Sequence, residues 1–245
     1  MSKKKVSKRQ RIRERRKRQA RLQRFGMIGV VVIGALLVAS ALIYPNLKSA
    51  GEITTVEAYP RSMAAGTAMG DPNAPVIIDV FEDFQCPACV YYTEEVERCI
   101  SETYVASGQV YYVFHHYPFI DSYSTSKESQ QAANASMCAM EQGLFWEYHD
   151  ILFANWNGEN AGAFRDKRLM EFAETLELDM DLFTPCFEEN RYQTEIQADY
   201  ELGVEMGGSG TPSVFVNGQQ ITPGKVPGFE AVQQAVEAAL IQAGQ

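Results

Sequence analysis

Charge is absent from one stretch of this chain and unevenly distributed over the rest. Residues 25–44 contain no charged side chain. Residues 1–24 contain 13 of the 22 Lys and Arg residues and only one acidic residue, Glu14. The rest of the chain has 9 basic and 30 acidic residues, which gives it a net charge of −21. This lack of basic residues after residue 24 disfavours acidic partners. No aromatic residue lies within the basic run before Phe25, which favours a topology signal over a nucleic-acid site.

The uncharged stretch predicts a membrane-spanning helix. Twenty residues at 1.5 Å each span about 30 Å, the hydrocarbon thickness of a bilayer. The basic flank places residues 1–24 in the cytoplasm, against anionic lipid, and the rest outside the cell. Ala39-Ser40-Ala41 also resembles a signal-peptide cleavage site, but the apolar run is long for a signal peptide and continues to Tyr44. We therefore expect a retained signal anchor over residues 25–44.

Cysteine is scarce and does not occur before residue 86. All five cysteines follow the predicted anchor, which places them in an oxidising compartment and leaves none near the anchor for lipidation. The only close pair supplies two zinc ligands, whereas a structural site needs four, so no metal is expected. The glycine-rich loop 207–210 lacks a lysine at P-loop spacing, which argues against a phosphate cradle.

The pattern after residue 70 predicts an α/β domain over residues 71–245, joined to the anchor by a linker over residues 45–70. Strand, helix and strand at the start of this domain indicate a parallel βαβ unit. Residues 117–207 contain helical segments and no convincing strand, and two short strands around Asn217-Gly218 precede a last amphipathic helix. The predicted strands cover residues 76–84, 110–114, 213–216 and 219–221, and the flanking helices cover residues 86–107 and 229–240.

Cys86-Pro87-Ala88-Cys89 follows the first predicted strand and opens the first predicted helix. Two thiols at this spacing can close a small disulfide. The first thiol lies where unpaired backbone N–H groups and the helix dipole favour negative charge, which lowers the pKa of its sulfur. Because the thiolate is the attacking species, the pattern indicates thiol–disulfide chemistry.

This arrangement resembles the thioredoxin fold with a helical insertion, as found in DsbA-like thiol:disulfide oxidoreductases. The segment 83–89 is similar to the active-site segment of that family, the run 143–149 to its insertion, and Gly210-Thr211-Pro212 to its cis-proline loop. The resemblance implies that Cys86 is the nucleophile and Cys89 the resolving thiol. It also implies a cis Pro212 facing the dithiol, which leaves the backbone of Thr211 free to pair with an extended substrate.

Two positions depart from the family pattern. Many relatives carry a buried acid six residues before the first cysteine, where this chain has Val80. Because side chains alternate along a strand, only some of the acids near Val80 can point towards the dithiol. Of these, Glu82 is our candidate to replace the missing acid and to handle the proton of the resolving thiol. Strong oxidants of the family carry a histidine where this chain has Ala88, which makes a milder oxidant the expectation.

The other three cysteines are predicted to have structural roles. Cys138 and Cys186 both lie in the helical insertion, where an oxidising compartment favours a disulfide between them; two buried free thiols are the alternative. Cys99, on the first helix, is expected to be a buried inert thiol, with intermolecular pairing or a regulatory role as the alternatives.

These observations predict a membrane-anchored, extracytoplasmic enzyme that passes disulfides to the cysteines of newly translocated proteins. A membrane enzyme, quinone-linked, would re-oxidise the Cys86–Cys89 pair, and no organic cofactor or metal is needed. Val80 and Ala88 keep open a reductase or isomerase that receives electrons from the cytoplasm. A non-catalytic binding module with a structural CxxC disulfide is the third possibility.

Overall fold

The computed structural model describes residues 51–57 and 59–244, together with Met27 and Gly34. The chain divides into two compact units, and the second, Ile53–Gln245, carries the fold described below. Except for Met27 and Gly34, which are helical, the predicted anchor over residues 25–44 lies outside the described residues. Among the residues that are described, no helix is both long and apolar enough to cross a membrane.

A five-stranded sheet with the order β1-β3-β2-β4-β5 forms the centre of the domain. The central pair, β2 and β3, is parallel, with Val76 beside Val110 and Glu82 beside His116, and every other neighbouring pair is antiparallel. The strand bounds are β1 Ala68–Met69, β2 Val76–Glu82, β3 Val110–His116, β4 Ser213–Val216 and β5 Gln219–Gln220. A parallel pair requires a crossover, and the first helical segment supplies it.

This crossover is one continuous helical run with two π-helical stretches. Its parts are α1 Pro87–Tyr92, π1 Thr93–Glu97, α2 Arg98–Ile100 and π2 Ser101–Val105. Pro87 occupies the first turn, where its missing N–H is not needed. The run buries Tyr92, Val96 and Ile100 in the main core. The observed span, 87–105, is slightly shorter than the predicted helix over residues 86–107.

The insertion between β3 and β4, all of which the structure describes, contains helices and connecting loops but no strand, as predicted. After a 3₁₀ turn at Ile120–Tyr123 come α3 Glu128–Met140, α4 Phe145–Ala154, α5 Asp166–Thr175, α6 Met180–Glu188 and α7 Gln193–Glu205. The final helix, α8 Phe229–Ala243, packs on β4 and β2. Gly203 lets α7 approach the sheet closely, since a Cβ there would lie 2.8 Å from the rings of Phe81 and Tyr117.

The segment before the sheet corrects the linker prediction for residues 53–70. Thr54 and Asn155 exchange two hydrogen bonds of 2.9 and 2.7 Å, and β1 joins the sheet beside β3. Arg61 is buried and binds Asp150 through both guanidinium NH₂ groups at 2.7 and 2.9 Å. The segment therefore belongs to the folded domain, because a buried arginine and its carboxylate partner fix it against α4.

Candidate active site

The dithiol lies where a short loop from β2 meets α1, with Cys86 just before the helix and Cys89 in its first turn. The Asp83 carboxylate accepts hydrogen bonds from the backbone N–H groups of Gln85, at 2.9 Å, and Ile120, at 3.0 Å. The Trp156 indole N–H donates to the Gln85 carbonyl at 2.7 Å. The Cys86 carbonyl then accepts the first helical bonds, from Cys89 at 3.0 Å and Val90 at 3.2 Å. Cys86 is thereby held as the N-cap residue of the helix.

The electrostatics of the loop favour a thiolate on Cys86. Its thiol is free, nearly buried, and 3.3 Å from the Thr211 carbonyl, and the Thr211–Pro212 peptide bond is cis. A hydrogen bond from the Cys89 thiol is the main cause that lowers the pKa of Cys86 to about 6. Burial opposes this lowering of the pKa of Cys86, while the nearby Thr211 side chain and the backbone N–H groups of Ala88 and Cys89 add to it. Cys86 is therefore mostly thiolate at neutral pH.

Cys89, in contrast, favours the protonated thiol. It is fully buried behind Cys86, and burial raises its pKa well above the ordinary cysteine value. The hydrogen bond that it donates to Cys86 and the nearby charge of Glu82 raise the pKa further. The pair therefore combines an attacking thiolate with a protonated partner, which is the arrangement needed by a nucleophilic and a resolving cysteine.

Glu82 is the last residue of β2, and its side chain is buried beside Cys89. Burial raises the pKa of Glu82 well above its ordinary value, and the charge of Glu97 raises it further, while the Cys89 thiol partly offsets the rise. Among the residues that the structure describes, no group meets hydrogen-bond geometry with either carboxyl oxygen. Because side chains alternate along a strand, Glu82 shares its face of β2 with Val80, the position where relatives carry an acid.

A groove of about 310 Å³ runs along the cis-proline loop next to the dithiol. Its floor includes Ala88, Thr211 and Pro212, and Lys225 lines its edge. The hydroxyl oxygen of Thr211 is buried and has no hydrogen-bond partner within the described part of the chain. An extended chain in this groove would lie beside the sulfur of Cys86.

The remaining cysteines divide into a pair and a single residue. Cys138 of α3 and Cys186 of α6 form a disulfide, with a Cα–Cα distance of 5.8 Å. Cys99 is exposed, which corrects the expectation of a buried thiol. The helical run turns this residue outward, because its core positions are taken by Val96 and Ile100.

The sequence did not point to the contacts that hold the loop before Cys86. The buried Gln85 side chain donates to Asp121 at 3.3 Å and Ser129 at 2.8 Å, and accepts from the backbone of Asn160 at 2.6 Å. These partners are 36 to 75 residues away in the chain, so no local motif marks them. In the described part of the chain, no cluster of three or more His, Cys, Asp or Glu side chains is arranged to hold a metal ion.

The sequence model of the family described as Thioredoxin matches residues 62–238. The chain belongs to this thioredoxin family. This membership and the dithiol geometry make it a thiol:disulfide oxidoreductase, as predicted.

Two solved structures share the thioredoxin-like fold with a helical insertion. Oxidised BdbD from Bacillus subtilis has a TM-score of 0.64 at 21% identity and covers 74% of this chain and 96% of its own. Wolbachia pipientis alpha-DsbA1 has a TM-score of 0.61 at 21% identity and covers 72% and 92%.

Curated relatives of this thioredoxin-family chain fall into two groups. A probable disulfide bond formation protein D from Bacillus anthracis is 24% identical over 172 residues, which are 69% of this chain and 76% of the relative. The Na⁺/H⁺ antiporter NhaA 3 from Salinispora tropica is 35% identical over 151 residues, which are 62% of this chain. The chain spans about a fifth of the antiporter's length, since the match covers 21% of it.

Proposed function

We propose that this oxidoreductase is a membrane-anchored, extracytoplasmic disulfide donor with Cys86–Cys89 as its redox pair. The observation that carries the proposal is the opposed behaviour of the two thiols. The pKa of Cys86 is lowered to about 6, and that of the buried Cys89 is raised. A dithiol form stabilised in this way is a good product of disulfide donation, because a strong oxidant is one whose reduced form is stable.

The proposed reaction begins with the Cys86–Cys89 disulfide and two thiols of a client protein. A client thiolate attacks the sulfur of Cys86, and the electron pair of the broken bond goes to Cys89, which takes a proton from Glu82. The second client thiolate attacks the client sulfur of the mixed disulfide and releases Cys86 as the favoured thiolate. The client gains a disulfide, and the enzyme is left as a dithiol.

Substrate positioning is assigned to the cis-proline loop. The Thr211 backbone faces the groove beside Cys86, where it can pair with an extended client chain. The clients would be unfolded or newly translocated proteins that contain cysteine. A membrane re-oxidase, quinone-linked, would return the dithiol to the disulfide, and the predicted helix over residues 25–44 would hold the enzyme in the lipid. Bacillus relatives named disulfide bond formation protein D support this direction.

The test is the reduction potential of the Cys86–Cys89 pair in the full chain, equilibrated with glutathione. Cys99→Ser removes the exposed thiol from the measurement. A potential above roughly −200 mV supports disulfide donation, since the strongest oxidants lie near −120 mV. A potential near about −270 mV, as in thioredoxin, would refute donation and favour a reductase. A Cys86 that resists alkylation at pH 6 would refute both and favour a structural disulfide.

A further inference from the structure

A second group of ionisable side chains is buried behind the dithiol, between the helical run and α4. His149 lies between two carboxylates, with Nδ1 2.9 Å from Asp150 and Nε2 3.5 Å from Glu97. Arg61 contacts both carboxylates, at 2.7 Å for Asp150 and 3.0 Å for Glu97. The side chains of His149 and Glu97 are completely buried. An imidazole held in this way can accept a proton on one nitrogen and release one from the other.

One end of this group faces the dithiol. The ring of His149 lies 5.8 Å from that of Phe84, in the loop that leads to Cys86. The charge of Glu97 is also the second cause, after burial, that raises the pKa of Glu82. Four buried atoms here lack a hydrogen-bond partner in residues 51–57 and 59–244: both oxygens of Glu82, one oxygen of Glu97 and Nε2 of His149. Buried polar atoms of this kind commonly bind ordered water, which would join them into a chain.

The other end faces the surface. Asp150 lines a small pocket of about 50 Å³ together with Thr55, Val56 and Glu147. The pocket lies beside the N-terminal segment, away from the cis-proline groove, whose lining residues it does not share. A proton that enters here would reach Cys89 from behind, without crossing the groove that a client occupies.

We propose that His149 is a proton-relay residue that connects this pocket to Glu82. The inference rests on the proposed function, in which Glu82 gives a proton to the departing Cys89 thiolate. One proton moves from water in the pocket to Asp150 and on to Nδ1 of His149. At the same time the Nε2 proton moves through Glu97 to Glu82, so one proton enters the chain of groups for each one delivered, and His149 is left with its proton on Nδ1, donated to the Asp150 carboxylate. Re-oxidation of the dithiol sends one proton back along the same groups and returns the imidazole proton to Nε2. No electrons move along this route.

The alternative is that the cluster only anchors the N-terminal segment. Arg61, Glu97 and Asp150 would then matter for stability, and His149 would fill space. Besides these groups, His116 of β3 is the ionisable side chain whose charge acts on His149 from the sheet, and its own pKa is lowered to about 4 by burial first. His116 is therefore neutral near pH 7, and a pH profile there reports on the relay.

The experiment measures single-turnover opening of the disulfide by a dithiol peptide, using the fluorescence of Trp156, whose indole contacts the loop before Cys86. The full chain is compared with His149→Gln and with the matched control Tyr148→Phe. Tyr148 precedes His149 on α4, and this control loses a buried 2.7 Å hydrogen bond to the Leu169 carbonyl of α5. We expect His149→Gln to slow the reaction by about tenfold or more at pH 7 and to enlarge the solvent deuterium isotope effect. The alkylation profile of Cys86 stays unchanged in both variants. Equal rates in the two variants would overturn the proposal.

An infrared difference spectrum keeps the test informative if His149→Gln does not fold. The full chain, labelled with ¹⁵N-histidine, is recorded in its oxidised and reduced states. We expect an imidazole band that responds to the redox state, and its absence from the wild-type protein would contradict the relay. Failure of the proposed function is a different result, because the wild-type chain would then transfer no disulfide to the peptide.

Discussion

The pKa of Cys86 predicts how the reduction potential of the dithiol changes with pH. Below about pH 6 both thiols of the reduced form are protonated, so the couple takes up two protons with two electrons. Above this pH Cys86 is a thiolate while the buried Cys89 stays protonated, so the couple takes up one proton. The slope of the potential should therefore fall from about 59 to about 30 mV per pH unit, with its break near pH 6.

The size of the effect follows from the shift at Cys86, from the ordinary value of 9.0 to about 6. Three pKa units correspond to about 4 kcal/mol in favour of the thiolate. Because the pKa is lowered on folding, this stabilisation of the reduced protein is complete above pH 9 and is lost as the pH falls through 6. At pH 7, one pH unit above the pKa of Cys86, the lowered pKa stabilises the reduced protein by about 1.4 kcal/mol. For a two-electron couple this raises the reduction potential by about 30 mV.

The assay is equilibration of the Cys99→Ser chain with glutathione between pH 4.5 and 8, with the redox state read from thiol labelling. Glutathione takes up two protons over this range, so the equilibrium constant should be flat below pH 6. Above pH 6 the equilibrium constant should change about tenfold per pH unit in favour of the reduced enzyme. A constant that stays flat to pH 8 would show that the Cys86 thiolate is not stabilised, and the contacts from Cys89 and Thr211 would lose their assigned effect.

Three further changes test the remaining structural assignments. Cys89→Ala removes the largest cause of the lowered pKa of Cys86, so alkylation by iodoacetamide at pH 6 should slow; an unchanged rate contradicts the assignment. Replacing Cys138 and Cys186 with Ala opens a loop of 48 residues and should lower the unfolding free energy by about 4 kcal/mol in urea titrations, with a loss below about 1 kcal/mol arguing against the disulfide. Arg61→Met leaves two buried carboxylates unpaired and should cost about 3–5 kcal/mol by the same titration, whereas a mobile linker predicts no change.

Local patterns predicted the centre of the fold. The parallel pair β2 and β3 and the helical run between them follow from apolar strands that flank one helix-length segment. Strand β1 was missed because its two residues, Ala68 and Met69, are too few to show a period. Helix α6 contains Pro185, a residue that disfavours a helix interior. The helix forms around it because Phe183, Cys186 and Phe187 bury one side against the insertion.

The candidate site was predictable only where its residues are close in sequence or belong to a motif. Cys86, Cys89 and Pro212 came from two short motifs that the fold brings together. Arg61 gave no such signal, since it stands in a polar stretch and its carboxylate partners are 36 and 89 residues away. Long-range ion pairs of this kind are decided by tertiary packing, and composition alone suggested a linker.

The position of the buried acid follows from the geometry of β2. A strand advances about 3.3 Å per residue, so moving an acid from position 80 to position 82 keeps it on the same face and carries it about 6.6 Å towards the dithiol loop. At this end of the strand the carboxyl of Glu82 lies beside Cys89 and within electrostatic reach of Glu97. At position 80 the valine packs in the apolar core instead. The exchange therefore keeps a buried acid on the same sheet face and places it where the proposed proton transfer to Cys89 needs it, within electrostatic reach of the buried ion cluster.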